Sequence, residues 1–142
     1  MKIRKAAPGE LGQIRSILEE GGLPDDDFGE GVTFLAAESD GAIVGTIALE
    51  AYPPLGLLRS AAVRPAFRDR GVGALLVAAL VREARARALG ELVLLTTTAE
   101  KFFGKMGFQR IERESLSGPI LESGQFAGTR CSSAAVMRRK LD

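Results

Sequence analysis

Residues 71–81 form an uninterrupted run of eleven amino acids without a charge, and residues 82–87 then carry three Arg and one Glu. A helix that is apolar all round in its first turns must be buried between other layers of the fold. The basic residues suit the negative pole at the C-terminal end of such a helix, and we expect Gly90 to take the position just after it. The segment therefore predicts one long helix packed against a sheet.

Apolar runs on both sides of this helix predict the strands. Residues 33–38 and 42–50 are separated by a Ser-Asp-Gly spacer that is typical of a hairpin turn. The next run, residues 57–63, follows a Pro-containing turn and is expected to pair antiparallel with the run before it. Residues 92–95, beyond the helix, predict a short buried strand, so a right-handed crossover is expected.

The rest of the chain completes a mixed α/β sheet flanked by helices. Pro8 suits the first position of a helix, and apolar residues recur at helical spacing until a Gly-Gly pair at residues 21–22. Further strands are predicted over residues 2–6, 108–114 and 134–141, and a second helix over residues 99–106, ending at Gly107. No repeat or linker divides the sequence, so residues 1–142 are expected to form a single domain.

Composition excludes several kinds of chemistry. The chain has no His and one Cys, Cys131, which excludes Ser-His-Asp catalysis, His-based zinc sites and an intrachain disulfide. Nineteen Lys and Arg against eighteen Asp and Glu leave a net charge of +1, so no nucleic-acid partner is expected. No apolar stretch has the length of a membrane span and no signal peptide is evident, so we expect no membrane partner and a cytoplasmic location.

A glycine-rich loop joins the strand at residues 57–63 to the long helix. It contains Arg68, Arg70 and a Gly-x-Gly pair at 71 and 73. Glycines let backbone amides approach a ligand closely, the first amides of a helix lack partners within it, and arginines add forked contacts for phosphate oxygens. The loop therefore predicts a pyrophosphate site, although the glycines alone would equally suit a tight turn. A dinucleotide fingerprint is excluded because Leu76 stands where a third glycine is needed.

Three motifs in order along the chain carry a family resemblance. The hexapeptide at residues 68–73, Arg-Asp-Arg-Gly-Val-Gly, resembles the Arg/Gln-x-x-Gly-x-Gly/Ala signature of the GCN5-related N-acetyltransferases, the GNAT family. The Ala-Val-x-Pro at residues 62–65 and the Phe-Phe-Gly-Lys-Met-Gly-Phe at residues 102–108 are similar to that family's other marks. Within the family, residues 58–60, 94–100 and 131–134 resemble the arsenic-resistance-associated N-acetyltransferases.

This resemblance implies a GNAT-like mixed, mostly antiparallel sheet that is splayed at the centre beside Val63. It also implies an acetyl-coenzyme A site: the backbone of Ala61, Ala62 and Val63 would pair with the pantetheine arm, and the Val63 amide would polarise the thioester oxygen. Thr96 and Phe103 would lie beside the cofactor. The amides that would cradle the pyrophosphate belong to Arg68, Asp69, Arg70, Gly71, Val72, Gly73 and Ala74. Dimers are common in the family, so a homodimer is possible.

Without His, a carboxylate is the leading candidate for a base. Glu50 closes a predicted strand, facing away from Ile43, Ile47 and Leu49, and lies directly opposite Arg59 if the strand connection is symmetric. One interpretation is a cross-strand ion pair of modest value. The other is that Glu50 steers water or the amine while Arg59 meets a substrate carboxylate. Glu91 is a rival base, but its position suits the start of a strand.

The sequence departs from the family pattern at the position of the proton donor. Phe103 stands where many relatives carry the Tyr that protonates the departing thiolate, and Phe has no proton to give. Tyr52, a Thr of residues 96–98 or water could replace it, and loss of a positioned acid costs roughly 10²–10⁴ in rate. The same threonines could instead contact the pantetheine arm or cap the next helix.

Other candidates have simpler interpretations. Cys131 is expected to be a small buried residue rather than a nucleophile or an arsenical contact. The acidic residues 25–27 suit a solvated turn or a helix cap rather than a substrate entrance, and Phe28, Phe34 and Phe126 are expected in the core.

The sequence therefore predicts an enzyme that moves acetyl from acetyl-coenzyme A to the amine of a small, anionic, amino-acid-like molecule. Direct attack in a ternary complex is expected because no activated nucleophile is evident, and no metal is expected. Acetylation of a protein Lys or N-terminus and a non-catalytic coenzyme A sensor remain alternatives.

Overall fold

The computed structural model describes residues 1–25, 31–127 and 133–141. Within these ranges, seven strands and four α-helices follow the chain in the order β1 Lys2–Lys5, α1 Leu11–Glu20, β2 Val32–Ser39, β3 Ala42–Tyr52, β4 Leu55–Val63, α2 Val72–Ala86, β5 Glu91–Thr96, α3 Glu100–Lys105, β6 Gln109–Ile111, α4 Gly124–Ala127 and β7 Ala135–Lys140. Short 3-10 turns cover Pro8–Glu10, Pro65–Phe67, Arg113–Ser115 and Pro119–Glu122.

The strands form one sheet in the order β1-β2-β3-β4-β5-β7-β6. All described pairings are antiparallel except β4 with β5, the two strands that flank α2 in sequence. A parallel pair needs a crossover, and the buried helix α2 supplies it. The sheet is thus mixed and mostly antiparallel, as the sequence predicts.

Helix α2 covers one face of the sheet through its charge-free half. Val72, Leu76, Val77 and Leu80 are almost completely buried in the largest apolar cluster, together with Ile47 of β3. The opposite face is covered by α1, which packs Ile17 against Ala36 of β2 and Ile43 of β3, and by residues 116–126 near β4 and β5. The sheet therefore lies between two layers, as the apolar run requires.

Three local predictions differ from the structure. Helix α2 ends at Ala86, and Ala88 with φ 58° takes the left-handed conformation expected of Gly90, whose amide instead donates to the carbonyl of Pro54 at 2.8 Å. The strand predicted over residues 108–114 covers only Gln109–Ile111, because the chain turns into a 3-10 helix. Ile43 packs on the α1 side, opposite Ile47, because the β2–β3 register shifts next to it.

In the part of the chain that is described, no helix is both long and apolar enough to cross a membrane.

Candidate active site

The sheet opens between its two parallel strands. β4 pairs with β5 only from Leu55 to Leu57, opposite Glu91 to Val93, although both strands continue for several residues. A cavity of about 600 Å³ fills the opening, walled by the free half of β4, the first turn of α2, the end of β5 and Phe103 of α3. The predicted splay is confirmed, but it begins directly after Leu57, well before Val63.

A bulge in β4 lies at the wall of this cavity. Ala62 is opposite Thr46 and Arg59 is opposite Ala48, so β4 has one more residue than β3 between these two pairs. Ser60, inside the stretch, has φ 55°, in the left-handed region that side chains disfavour. The extra residue reverses the alternation of side chains along β4, so that Leu58 before the bulge and Ala61 after it both pack on the α2 side of the sheet.

The turn between β3 and β4 corrects the predicted strand register, because Tyr52 is opposite Leu55 and only Pro53 and Pro54 connect them. Glu50 is opposite Leu57, not Arg59, so the expectation of a directly opposed pair is wrong. The ion pair nevertheless exists, because Arg59 lies diagonally across on the same face, with its Nη1 2.6 Å from Oε1 of Glu50. The side chain of Arg59 is completely buried and that of Glu50 is 13% exposed.

Both oxygens of Glu50 are engaged. Oε1 accepts the bond from Arg59, and Oε2 accepts a hydrogen bond of 2.7 Å from the hydroxyl of Tyr52. Burial first, and then the hydrogen bond to the Glu50 carboxylate, raises the pKa of Tyr52 to about 12. Tyr52 is therefore a poor acid that holds Glu50 in place, and neither residue lines the cavity, whereas Arg59 does.

The backbone of β4 past the bulge divides its groups between β3 and the cavity. Arg64 donates its amide to Val44 of β3 at 2.8 Å, and amides on an antiparallel strand alternate in direction. Ala62 therefore faces β3, while the amides of Ala61 and Val63 face the opening. Of the three residues expected to meet a pantetheine arm, two offer backbone groups to it.

The first turn of α2 faces the mouth of the cavity. Gly71 has φ 81°, and the first bond of the helix is from the Leu75 amide to the Gly71 carbonyl at 3.1 Å. The amides of Val72, Gly73 and Ala74 precede that bond, so they form the positive end of the helix dipole and an anion seat. All three residues line the cavity.

The two arginines of the loop separate. Arg68 lines the cavity and its Nε donates to the Val63 carbonyl at 3.0 Å. Arg70 does not line it, and its guanidinium lies over the Phe67 ring, 5.5 Å from the centroid. Asp69, between them, lines the cavity with φ 63°. Arg68 is thus the better placed of the two for a phosphate group.

Helix α3 supplies an aromatic wall. Phe103 is 6% exposed, lines the cavity and makes edge contacts with the Phe102 and Phe108 rings at 5.0 and 5.7 Å. Phe102 is 36% exposed and lies against α2, where a Cβ added to Gly73 would meet its Cζ at 3.1 Å. The second glycine of the Gly-x-Gly pair is therefore needed for close helix packing as well as for amide access.

Thr96 has both of the roles that the sequence left open, since it caps the turn before α3 and lines the cavity. Its Oγ1 accepts the amide proton of Ala99 at 2.9 Å, which secures the turn before α3, and the residue lines the cavity beside Thr97 and Thr98. Glu91 begins β5, as expected, and lies 4.0 Å from Arg138 outside the cavity. No group of three or more Cys, Asp or Glu in the described residues could hold a metal ion.

Thr46, Ser60 and Gln125 are polar cavity residues to which the sequence assigned no role. They are 0%, 9% and 8% exposed. Ser60 lies within residues 58–60, which carry the family resemblance, but it owes its place in the cavity wall to the bulge, and Gln125 is on the short helix α4. Cys131 and residues 26–28 lie outside the described residues, whereas Phe34 and Phe126 are half-buried.

A sheet that opens between parallel strands, with a helical anion seat at the mouth of the cavity, has a shape suited to an extended ligand with an anionic group. Residues 30–110 match the sequence profile of the acetyltransferase (GNAT) domain. The chain belongs to the GNAT acetyltransferase family, and its predicted GNAT-like fold is confirmed.

Three similar proteins illustrate this membership. An amino-acid acetyltransferase of Vibrio atlanticus is 31% identical over 95 residues, which are 66% of this chain and 21% of that protein. An uncharacterised N-acetyltransferase of Chlorobaculum tepidum is 34% identical over 82 residues, 57% of this chain and 52% of that protein. N-acetylglutamate synthase from Neisseria gonorrhoeae, solved with coenzyme A and N-acetyl-glutamate, superposes with a TM-score of 0.81 at 25% identity, over 99% of this chain and 35% of that one.

The chain therefore spans between a fifth and about half of the length of the curated relatives that it matches.

Proposed function

We propose that this chain is an acetyl-coenzyme A-dependent N-acetyltransferase. The observation that carries the proposal is the presence of two sets of backbone amides around one cavity: those of Ala61 and Val63 at the strand edge and those of Val72, Gly73 and Ala74 at the start of α2. A strand edge suits an amide-containing arm and a helix N-terminus suits a diphosphate. Coenzyme A carries both, and bound there it would supply an activated acetyl group.

The acceptor is proposed to be the amine of a small, anionic, amino-acid-like molecule. Arg59 places a buried guanidinium at the cavity wall, where it suits a carboxylate or a related oxyanion. The amino-acid acetyltransferase and the N-acetylglutamate synthase among the similar proteins support this substrate class. Resemblance to arsenic-resistance-associated relatives extends it to amino-acid-like phosphinates and arsinates.

The acid–base demand fits such an acceptor. An α-amino group with a pKa of about 8 is roughly one-tenth neutral at pH 7, whereas a Lys-like amine is almost entirely charged. Glu50 is proposed to orient Arg59, because it lies outside the cavity lining and its two oxygens already accept hydrogen bonds from Arg59 and Tyr52. Direct attack in a ternary complex remains our expectation, as do a cytoplasmic location and a possible homodimer.

A panel of amines tests the proposal by following thiol release from acetyl-coenzyme A. We expect release with at least one α-amino acid, phosphinate or arsinate. The matched amide of a reactive amino acid, which lacks the carboxylate, should show a kcat/KM at least about tenfold lower, since a charged hydrogen bond is worth about 1.5–3 kcal/mol. Equal rates for acid and amide would contradict the anionic substrate class.

A coenzyme A sensor is the second candidate, and Phe103 in place of a proton donor favours it. Tight coenzyme A binding by calorimetry without thiol release for any amine would establish it. Labelled acetyl-coenzyme A added to a whole lysate separates the third alternative, because a protein acetyltransferase would place the label in protein rather than in small metabolites.

A further inference from the structure

Ser60 is strained in a way that a glycine would relieve. Among the described residues, it is the only strand residue with a positive φ, at 55°. A non-glycine side chain in that conformation costs about 1–3 kcal/mol, and such residues cluster at functional sites. Glycine would adopt the same conformation without this cost. The presence of a serine is therefore explained by its side chain and not by the backbone conformation.

The hydroxyl of Ser60 has a fixed place in the cavity wall. Its Oγ accepts a hydrogen bond from Nε of Arg59 at 3.2 Å, and Arg59 is in turn held by Glu50. A serine hydroxyl both accepts and donates. Within residues 1–25, 31–127 and 133–141, its proton has no acceptor, so it is available to a molecule bound in the cavity. The bond from a guanidinium polarises the hydroxyl and makes it a stronger donor.

Ser60 is better prepared to donate than the other candidates. Phe103 has no proton to give, and Tyr52 lies outside the cavity lining with its hydroxyl bonded to Glu50. Thr96, Thr97 and Thr98 line the cavity and keep their hydroxyl protons, but no guanidinium of the described residues donates a hydrogen bond to any of them, as Arg59 does to Ser60. Acetyl transfer forms a C–N bond and breaks a C–S bond, so one proton must leave the amine nitrogen and one must reach sulfur.

We propose that Ser60 carries this proton, an inference that rests on the proposed function. Its Oγ gives its proton to the sulfur, which keeps the electron pair of the broken C–S bond, and takes a proton from the nitrogen, whose lone pair forms the C–N bond. The hydroxyl is restored and no net proton is exchanged with solvent. Arg59 and Glu50 act as positioning residues for Ser60.

Three variants test this role by steady-state kinetics with the fastest amine of the panel. Ser60→Gly keeps the backbone conformation at no cost, Ser60→Ala keeps the Cβ, and Ser60→Cys keeps a proton donor. We expect kcat to fall about 10²-fold in the first two, in the range for a lost acid, with KM for acetyl-coenzyme A within about threefold. Ser60→Cys should retain at least about a third of kcat. A kcat of Ser60→Gly within threefold of wild type, or a Cys variant as slow as the Ala variant, would overturn the proposal.

A binding readout needs no turnover. If Ser60 donates to sulfur, the thiol of bound coenzyme A should ionise about one pH unit lower in wild type than in Ser60→Gly. The ultraviolet absorbance of the thiolate measures this ionisation. An unchanged midpoint would overturn the inference. If wild type and Ser60→Gly differ in this ionisation but wild type acetylates no amine, only the proposed function is refuted. Failure of the proposed function and failure of the Ser60 role are therefore distinguishable.

Discussion

Arg59 and Glu50 form an ion pair of 2.6 Å although Leu57, not Arg59, is opposite Glu50 in the strand register. The two-residue turn at Pro53 and Pro54 sets this diagonal arrangement, which leaves the fully buried guanidinium at the cavity wall with its counter-charge behind it. A buried charge of this kind contributes to stability only while it is compensated.

Removal of the Glu50 carboxylate should therefore destabilise the fold. We expect Glu50→Ala to lower the free energy of unfolding by about 3 kcal/mol, the lower end for breaking a buried pair, because Arg59 has further contacts. Urea denaturation followed by circular dichroism measures it. Glu91→Ala is the control: its partner Arg138 is 4.0 Å away and partly exposed, so the loss should be below about 1 kcal/mol. Equal losses would contradict the expectation.

Tyr52 can be titrated without interference, because it is the only Tyr and there is no Trp. We expect its tyrosinate absorbance to appear with a midpoint near pH 12, since burial and the bond to Glu50 raise the pKa of Tyr52 to about 12. Glu50→Gln should lower that midpoint, because the negative charge that opposes tyrosinate is gone, but burial should keep it above the ordinary value. A midpoint of 10 in wild type would refute the hydrogen bond to Glu50.

The same pKa predicts a loss of stability in alkali. A folded-state pKa raised from 10 to about 12 means that the folded protein keeps its proton after the unfolded chain has lost it. The contribution is present in full below pH 10 and disappears as pH rises through 12. The free energy of unfolding should fall more steeply over this range in wild type than in Tyr52→Phe. Parallel curves for the two proteins would argue against the linkage.

The loop arginines should differ in their effect on coenzyme A binding. Arg68 lines the cavity, whereas Arg70 lies over Phe67 outside it. Calorimetry should show affinity at least tenfold weaker, about 1.4 kcal/mol, for Arg68→Ala and less than about threefold weaker for Arg70→Ala. The reverse order would place the diphosphate on the other side of the loop.

Gly73 and Phe102 should be energetically coupled. Alanine is favoured over glycine in a helix, but a Cβ at position 73 would lie 3.1 Å from the Phe102 ring. We expect Gly73→Ala to be slightly destabilising in wild type and to stabilise Phe102→Ala by about 0.5 kcal/mol. Thermal unfolding of both single variants and the double variant completes the cycle. The same effect in both backgrounds would show that the contact carries no energy.

The sequence predicted those elements whose pattern is locally strong. The charge-free run gave α2 to within a residue at its start, and the Ser-Asp-Gly spacer gave the β2–β3 hairpin, whose turn residues Asp40 and Gly41 both have positive φ. The splay followed from the family resemblance, whereas the anion seat was predicted from the glycine-rich loop and the start of the long helix.

What failed depends on contacts between distant residues. The bulge at Ser60 has no signal in the residues around it, so the place of Ser60 in the cavity wall was not predicted. The tight turn at Pro53 and Pro54 puts β4 two residues away from the register expected opposite Glu50. Ala88 adopts the left-handed conformation in place of Gly90 although alanine gives no hint of it. Gln125 reaches the cavity only because residues 116–126 fold back over the sheet.

The opening after Leu57 separates two tasks along the chain. One contiguous stretch, residues 61–74, supplies nearly all the backbone that would bind the acyl carrier, whereas much of the remaining wall comes from distant pieces such as residues 21–24, 46–47 and Gln125. Substitutions in those scattered pieces can alter which acceptor is admitted without disturbing the carrier. Such a layout lets new substrate preferences evolve while the binding site for the acyl carrier stays unchanged.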